Sequence, residues 1–356
     1  MKRAVLRRRE QPLRGGQPLA FLLGLGFALL IGAVLLAAAG DPVIDTYTRM
    51  WDRSFGSVDS LSATFNRAVP LALAGLAVSI AATMGLWNIG AEGQILFGAT
   101  AATFVGRIGA DWPSPVLIVA MLIGAALGGA LWAFGPGLAK AEVGVSEIIT
   151  TLMLNEVALR LIRYLQNGPW KDPDGFGFPQ ISPRPDGAKL GVLWERTHIG
   201  VVIAVVVIFG FAWLVNRSVW GYELRLAGAS PRTATYAGIS LRRKVIGLMV
   251  LSGAVAGLAG GIELTGTAAR LNESISNGFG FAGIVVAALA LMRPSGVAAV
   301  AVLFGAIQVG GLSIQSLGVS AAVSNILQAL ILLGAIGAAV LSTYRIVLVD
   351  RKAVAG

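Results

Sequence analysis

Trp87-Asn88-Ile89-Gly90-Ala91-Glu92-Gly93-Gln94 interrupts two apolar runs, Pro70–Leu86 and Ile95–Val105, with carboxamides, a carboxylate and glycines. An unsatisfied backbone or charged group in hydrocarbon is costly. Such a break survives at membrane depth only where it is buried in protein or lines a water-filled cavity. The spacing fits two arrangements: a helix broken beside a polar path, or an ordinary cytoplasmic turn between two spans.

The surrounding chain decides that a membrane is involved. Of its 356 residues 56% are hydrophobic and 13% charged, and the mean hydropathy is +0.77, far from the balance of a soluble domain. Long continuous apolar runs exclude barrel strands, which would alternate with period two. The expected fold is an all-α membrane protein of about ten transmembrane helices, each of roughly 17–25 residues.

The net charge of +10 does not point to nucleic acid, because the basic residues sit between apolar runs and act as topology signals beside membrane lipid. The absence of cysteine excludes disulfides and thiolate metal sites, and a single histidine, His198, excludes an HExxH metal site. No metal is expected. His198 opens an apolar run and fits an interfacial position. Without a GxxxxGK[ST] phosphate loop, any ATP that drives this protein is hydrolysed by another chain.

Lys2, Arg3, Arg7, Arg8, Arg9 and Arg14 precede the apolar run Leu19–Ala39, which is longer than a signal-peptide core and is expected to stay as the first span, its amino terminus cytoplasmic. Within Asp41–Asn66, Tyr47, Trp51 and Phe55 recur every four residues and suggest an interfacial amphipathic helix on the outer side. Spans then follow over about Ala68–Leu86, to Ile108, and over Val116–Leu138, where Gly124 and Gly128 allow close helix approach.

In the next segment, Glu147, Thr151 and Asn155 fall on one helix face. That face either looks onto a polar path or glues helices together. Asn167–Thr197, rich in Gly, Pro and Asp, is outside by parity. Arg217–Lys244 is the longest inner loop. Within it Ser230, Pro231 and Gly238 mark the start and end of a two-turn surface helix. The loop's positive charges fit either a protein contact or anionic lipid. Val245–Ile262 carries Gly253, Gly257 and Gly261 as a packing face. Spans over Ala282–Leu291, Val297–Val309 and Ala321–Leu341 lead to Arg345, Arg351 and Lys352, which place the carboxyl terminus inside. The spans in 66–166 and 245–343 have similar lengths but opposite starting sides, as in inverted repeats.

Four motifs in order, NIGAEGQ (Asn88–Gln94), EIITTLMLN (Glu147–Asn155), YELRLAGASPRTATYAGI (Tyr222–Ile239) and GFGFAGIVVAALALMRPSG (Gly278–Gly296), resemble the permease subunits of bacterial ATP-binding-cassette importers of the nucleoside and simple-sugar branch. One departure is that Ala290 and Leu291 stand where relatives of the nucleoside branch often have a glycine-containing polar turn. The resemblance covers roughly residues 66–343. It implies a type II importer-like fold forming a single permease domain over 1–356. Its parts are an N-terminal helix and interfacial segment over 1–65, a first repeat half over 66–166, a cytoplasmic coupling loop over 217–244 and a second half over 245–343.

The resemblance also implies a transport subunit of the inner membrane rather than an enzyme, working with a cytoplasmic two-cassette ATP-binding subunit that holds ATP and magnesium. A second permease chain and a periplasmic or lipoprotein substrate-binding protein complete the set, with Asn167–Thr197 as a docking surface for the latter. Asn88, Glu92, Gln94, Thr151 and Asn155 are the expected substrate pathway, suited by their amide and hydroxyl groups to a neutral nucleoside. Glu92 could alternatively bond the backbone of its own broken helix. Ser230, Pro231, Arg232, Thr233, Ala234, Thr235, Tyr236, Ala237 and Gly238 form the expected coupling helix, where Ala234→Asp should break the ATPase contact without loss of folding.

Sugar import is the alternative within the same branch. An ion-coupled secondary transporter would rely on Glu92, Glu147 or Glu156, and a membrane enzyme would need a catalytic constellation that no soluble loop supplies.

Overall fold

The structure is a computed structural model and describes residues 2–8, 16–320 and 322–350. Its elements in chain order are β1 (Lys2–Arg8), α1 (Gly16–Ala39), α2 (Val43–Phe55), α3 (Val58–Ala82), α4 (Ala91–Ile108), α5 (Ser114–Val143) and α6 (Glu147–Asn167). A long connection then holds the short strands β2 (Val192–Trp194) and β3 (Thr197–His198). After it come α7 (Gly200–Arg217), α8 (Val219–Ala229), α9 (Pro231–Tyr236), α10 (Leu241–Gly266), α11 (Phe279–Leu289), α12 (Pro294–Ser313), α13 (Ala322–Thr343) and β4 (Tyr344–Asp350).

The protein is an all-α membrane protein. Among the described residues six segments are long and apolar enough to cross a membrane on their own: most of α1, then α3, α5, α7, α10, and α12 with the short turn after it. α4, α6 and α11 are shorter or more polar, and their depth has to be argued from what they touch.

The chain divides into two compact units, 1–54 with 307–356, and 55–306. In the first, α1 crosses α13 so closely that a Cβ on Gly24 would lie 2.4 Å from the Ala335 nitrogen. β1 and β4 pair antiparallel from Lys2↔Asp350 to Arg8↔Tyr344, so the two terminal strands lie side by side. Leu36, Met50, Ile314, Val319 and Leu327 form this unit's core. The Tyr47 hydroxyl donates to the Leu29 carbonyl at 2.8 Å and fixes α2 on α1.

In the second unit α10 is the central post, packed by α3, α4 and α5. Every residue of α3 from Ala68 to Ala81 is buried, as expected of a helix that is apolar all round. The glycines make these crossings backbone to backbone. A Cβ on Gly98 of α4 would fall 2.4 Å from the Gly257 Cα, and one on Gly129 of α5 only 2.1 Å from the Gly253 carbonyl oxygen. Gly261 faces the Ala125 methyl of α5, where an added Cβ would come within 2.5 Å of it.

The helix suggested by the spacing of Tyr47, Trp51 and Phe55 corresponds to α2, and the span expected from about Ala68 begins ten residues earlier. α2 ends at Phe55, and α3 starts at Val58 because the Ser57 hydroxyl accepts from the Ser60 amide at 3.0 Å, with Asp59 in the first turn. A side-chain cap and an acidic first turn are what a helix start requires.

Candidate functional site

After α3 the chain turns at Thr83–Gly85, with Gly85 left-handed at φ +73, and runs through Leu86–Gly90 before α4 opens at Ala91. Asn88 sits fully buried in this connection. Its amide nitrogen donates to the Gln94 carboxamide oxygen at 2.8 Å and to the Ser252 hydroxyl at 2.7 Å. Its oxygen accepts from the Gly90 amide at 3.0 Å and from the Gln94 side chain at 3.1 Å. Ser252 in turn donates to the Ala77 carbonyl at 2.6 Å.

These partners fix the depth. At a rise of about 1.5 Å per residue Ser252 lies roughly 17 Å along α10 from Leu241. Asn88 is therefore inside the bundle, well away from the Leu241 end of α10.

α6 supplies the outer clamp of the break. The Asn155 oxygen accepts from the Gly93 amide at 2.8 Å, and its nitrogen donates to the Ile89 carbonyl at 3.0 Å. Thr151 donates back to the Glu147 carbonyl at 2.5 Å and fills the space beside Gly90, where a Cβ would come 2.8 Å from the Thr151 Cβ. Glu147 accepts from the Trp87 amide at 3.3 Å and pairs with Lys140 at 2.8 Å.

Glu92 points the other way, accepting from the Gly280 amide at 2.8 Å in the first turn of α11. A carboxylate there satisfies an orphan donor and complements the helix dipole. The backbones meet at this point, since a Cβ on Gly280 would lie 2.1 Å from the Glu92 nitrogen. Just beside it the Arg67 guanidinium lies 4.6 Å over the Phe279 ring.

The structure thus gathers Asn88, Glu92, Gln94, Thr151 and Asn155 around one interruption, and their hydrogen bonds go to one another, to Ser252 and to the backbone. Chemically the group can hold an irregular segment at depth without leaving a donor orphaned. Sequence reasoning missed Ser252, whose only signal is a hydroxyl at the centre of a glycine-rich helix.

The 217–244 connection forms α8 and α9. Ser230 caps α9, its hydroxyl accepting from the Thr233 amide at 3.3 Å, and Gly238 is left-handed at φ +76 past its end. Lys244 pairs with Glu223 and lies over Trp220, and Arg242 pairs with Glu142 of α5. Gly228 of α8 abuts the Thr83 carbonyl, so the loop leans on the α3 end from which the break departs. Pro231, Arg232, Thr233, Thr235, Tyr236, Ala237 and Gly238 are exposed, Tyr236 at 94%, but Ala234 is fully buried. The expectation for Ala234→Asp is corrected here: a charge at that position faces the chain's own interior and would cost folding.

The 168–197 connection is tied down by Arg184, which donates from its backbone to Ala269 at 2.9 Å and from its side chain to Leu264 at 3.0 Å. Phe176 and Phe178 stand exposed at its tip. His198 is buried, its Nδ1 accepting from the Gly200 amide at 3.2 Å. Burial lowers its pKa to about 4, so the ring is neutral.

The chain matches the family described as branched-chain amino acid transport system / permease component over residues 60–336. A guanosine ABC transporter permease protein of Bacillus subtilis (strain 168) is 35% identical, with 88% of this chain and 91% of the relative covered. A second guanosine permease protein of that organism is 26% identical over 68% of this chain and 78% of its own length. A glucose ABC transporter permease protein of Haloferax volcanii is 34% identical over 91% and 89%. With its membrane helices and a match over most of its length, the chain belongs to the branched-chain amino acid transport system / permease component family and is a transport subunit, not an enzyme.

Proposed function

We propose that the chain is the permease subunit of an ATP-driven importer that moves nucleosides across the inner membrane by alternating access. The observation that carries this reading is the likeness to a guanosine permease over 91% of that protein's length, joined by the second guanosine permease at 26%. The glucose permease at 34% favours simple sugars as the second reading.

In this mechanism a cytoplasmic two-cassette subunit binds ATP and magnesium, and its closure pushes on α9. Any bias between outward- and inward-open states must come from a difference in contact with α9 in the two states. The exposed Tyr236 and Arg232 are the groups a partner would meet. Through Gly228 and Thr83 the push reaches the break, where Asn88, Glu92, Gln94, Thr151 and Asn155 shape the pathway by holding its wall. A second permease chain completes the pathway, and a lipoprotein or periplasmic binding protein docks on 168–197, with both termini cytoplasmic. Support for paired halves over 66–166 and 245–343 is that α4 and α11 each follow a long helix and touch at their starts.

Affinity purification from the native membrane tests the reading. Recovery of a two-cassette ATPase, a second permease and a binding protein that takes labelled guanosine is expected. A binding protein that takes only glucose would move the substrate to sugars, and ion-driven uptake by the chain alone would overturn the class. In the assembled complex Tyr236→Asp should leave folding intact and cut ATP-driven uptake at least tenfold. Full uptake would remove α9 from the coupling contact.

A further inference from the structure

α6 has a buried polar face, used by the break, and an exposed face that carries charges among apolar residues. Glu147, Thr151 and Asn155 are buried, whereas Met153, Glu156, Val157, Arg160 and Tyr164 are exposed along the opposite side. Because Asn155 bonds Gly93, Glu156 sits at the level of the break. α6 has 21 residues, about 31 Å of helix, and Glu156 lies roughly 14 Å from its Glu147 end. It is therefore near the middle of a helix about as long as a hydrocarbon layer is thick, about 30 Å.

Other outward faces of this unit are apolar: Ile123, Leu127 and Leu131 on α5, and Val206 and Phe209 on α7. Those faces suit lipid. A carboxylate and a guanidinium one turn apart do not, and among the described residues no hydrogen bond or ion pair within the chain reaches either one. Intramembrane charges face a bundle interior or a water-filled cavity.

We infer that this stripe of α6 lines the water-filled translocation pathway, with Glu156 and Arg160 touching the solute as it passes the break. The carboxylate accepts from hydroxyl and N–H groups and the guanidinium donates to carbonyl and ring-nitrogen acceptors. The solute class is thus neutral and rich in both kinds of group. The inference rests on the reading of this chain as one wall of a permease pathway.

The natural chain has no cysteine, so single substitutions report cleanly. In membranes containing the whole complex, Glu156→Cys and Arg160→Cys should react with a charged, membrane-impermeant methanethiosulfonate at least tenfold faster than Leu127→Cys on α5, and modification should abolish uptake. Two variants guard against one that fails to assemble. Labelling of both no faster than Leu127→Cys would overturn the inference, as would full uptake after complete modification. If labelling and block occur but the cargo is glucose, the nucleoside reading fails and this one stands. If guanosine uptake proceeds with both positions unreactive, this one alone fails.

Discussion

Two of the places where the chain leaves helical geometry in the 55–306 unit, the α3–α4 and α11–α12 connections, are held by opposite means. Between α3 and α4 the interruption is left-handed only at Gly85. It is held by side chains from α6 and α10, through Asn155 and Ser252. Between α11 and α12 the turn places Leu291 at φ 54 and Met292 at φ 55 with no glycine. Its hydrogen bonds are local and backbone only, Leu291 to Ala288 at 3.0 Å, Met292 to Ala287 at 2.8 Å and Arg293 to Ala290 at 3.0 Å. One interruption is specified by long-range polar chemistry at low strain, the other by a local turn that stores strain. Losing a side chain should therefore hurt the first far more than the second.

Asn88→Ala is the hardest test of the first half of that statement. It strands the Gly90 amide and both ends of the Gln94 carboxamide, all buried, and leaves Ser252 only its bond to Ala77. Orphaned buried groups cost about 1–3 kcal/mol apiece, so a loss of roughly 3–5 kcal/mol is expected. The reading is the thermal midpoint of the purified complex in detergent. A midpoint within a degree of the natural chain would mean that water or rearrangement replaces Asn88, and the contrast between the two interruptions would collapse.

Asn155→Asp is a finer cut. The carboxylate still accepts from Gly93 but no longer donates to the Ile89 carbonyl, which it now faces. Loss of one buried bond plus that repulsion should cost about 2 kcal/mol, less than Asn88→Ala by the same assay. An equal or larger loss would shift the weight of the clamp from Asn88 to α6.

The first interruption was legible in the sequence and the second was not, for a physical reason. Asn88, Glu92, Gln94, Thr151 and Asn155 stand out because polar groups inside apolar runs are expensive and need a purpose. Leu291 and Met292 are apolar residues in an apolar run, and nothing in their chemistry announces a left-handed backbone. The absence of a glycine there was visible, but its consequence needed the φ angles. Ser252 was hidden by its neighbours, since small residues in a GxxxG helix are expected for packing alone. The burial of Ala234 could not be read because a six-residue helix is too short to show a face. Glu156 was passed over as a pathway residue because the opposite face of α6 already offered polar groups at helical spacing. The start of α3 was misplaced because Ser57 and Asp59, which cap it, belong to a polar stretch that also suits an interface.

The smallest expected effects are a pair of opposite sign. A Cβ at Gly85 meets no atom within 4 Å, so Gly85→Ala changes only the backbone preference. A left-handed non-glycine residue costs about 1–2 kcal/mol, and a loss near 1 kcal/mol follows. Leu291→Gly reverses the argument. Glycine relieves the left-handed penalty, and because Leu291 is 45% exposed little burial is given up. Part of the gain is offset by the greater freedom of glycine in the unfolded chain. The net should be a stabilisation of about 0.5–1 kcal/mol, seen as a raised thermal midpoint. A lowered midpoint would show that the Leu291 side chain, rather than the turn's hydrogen bonds, holds α11 against α12, and the second interruption would then resemble the first.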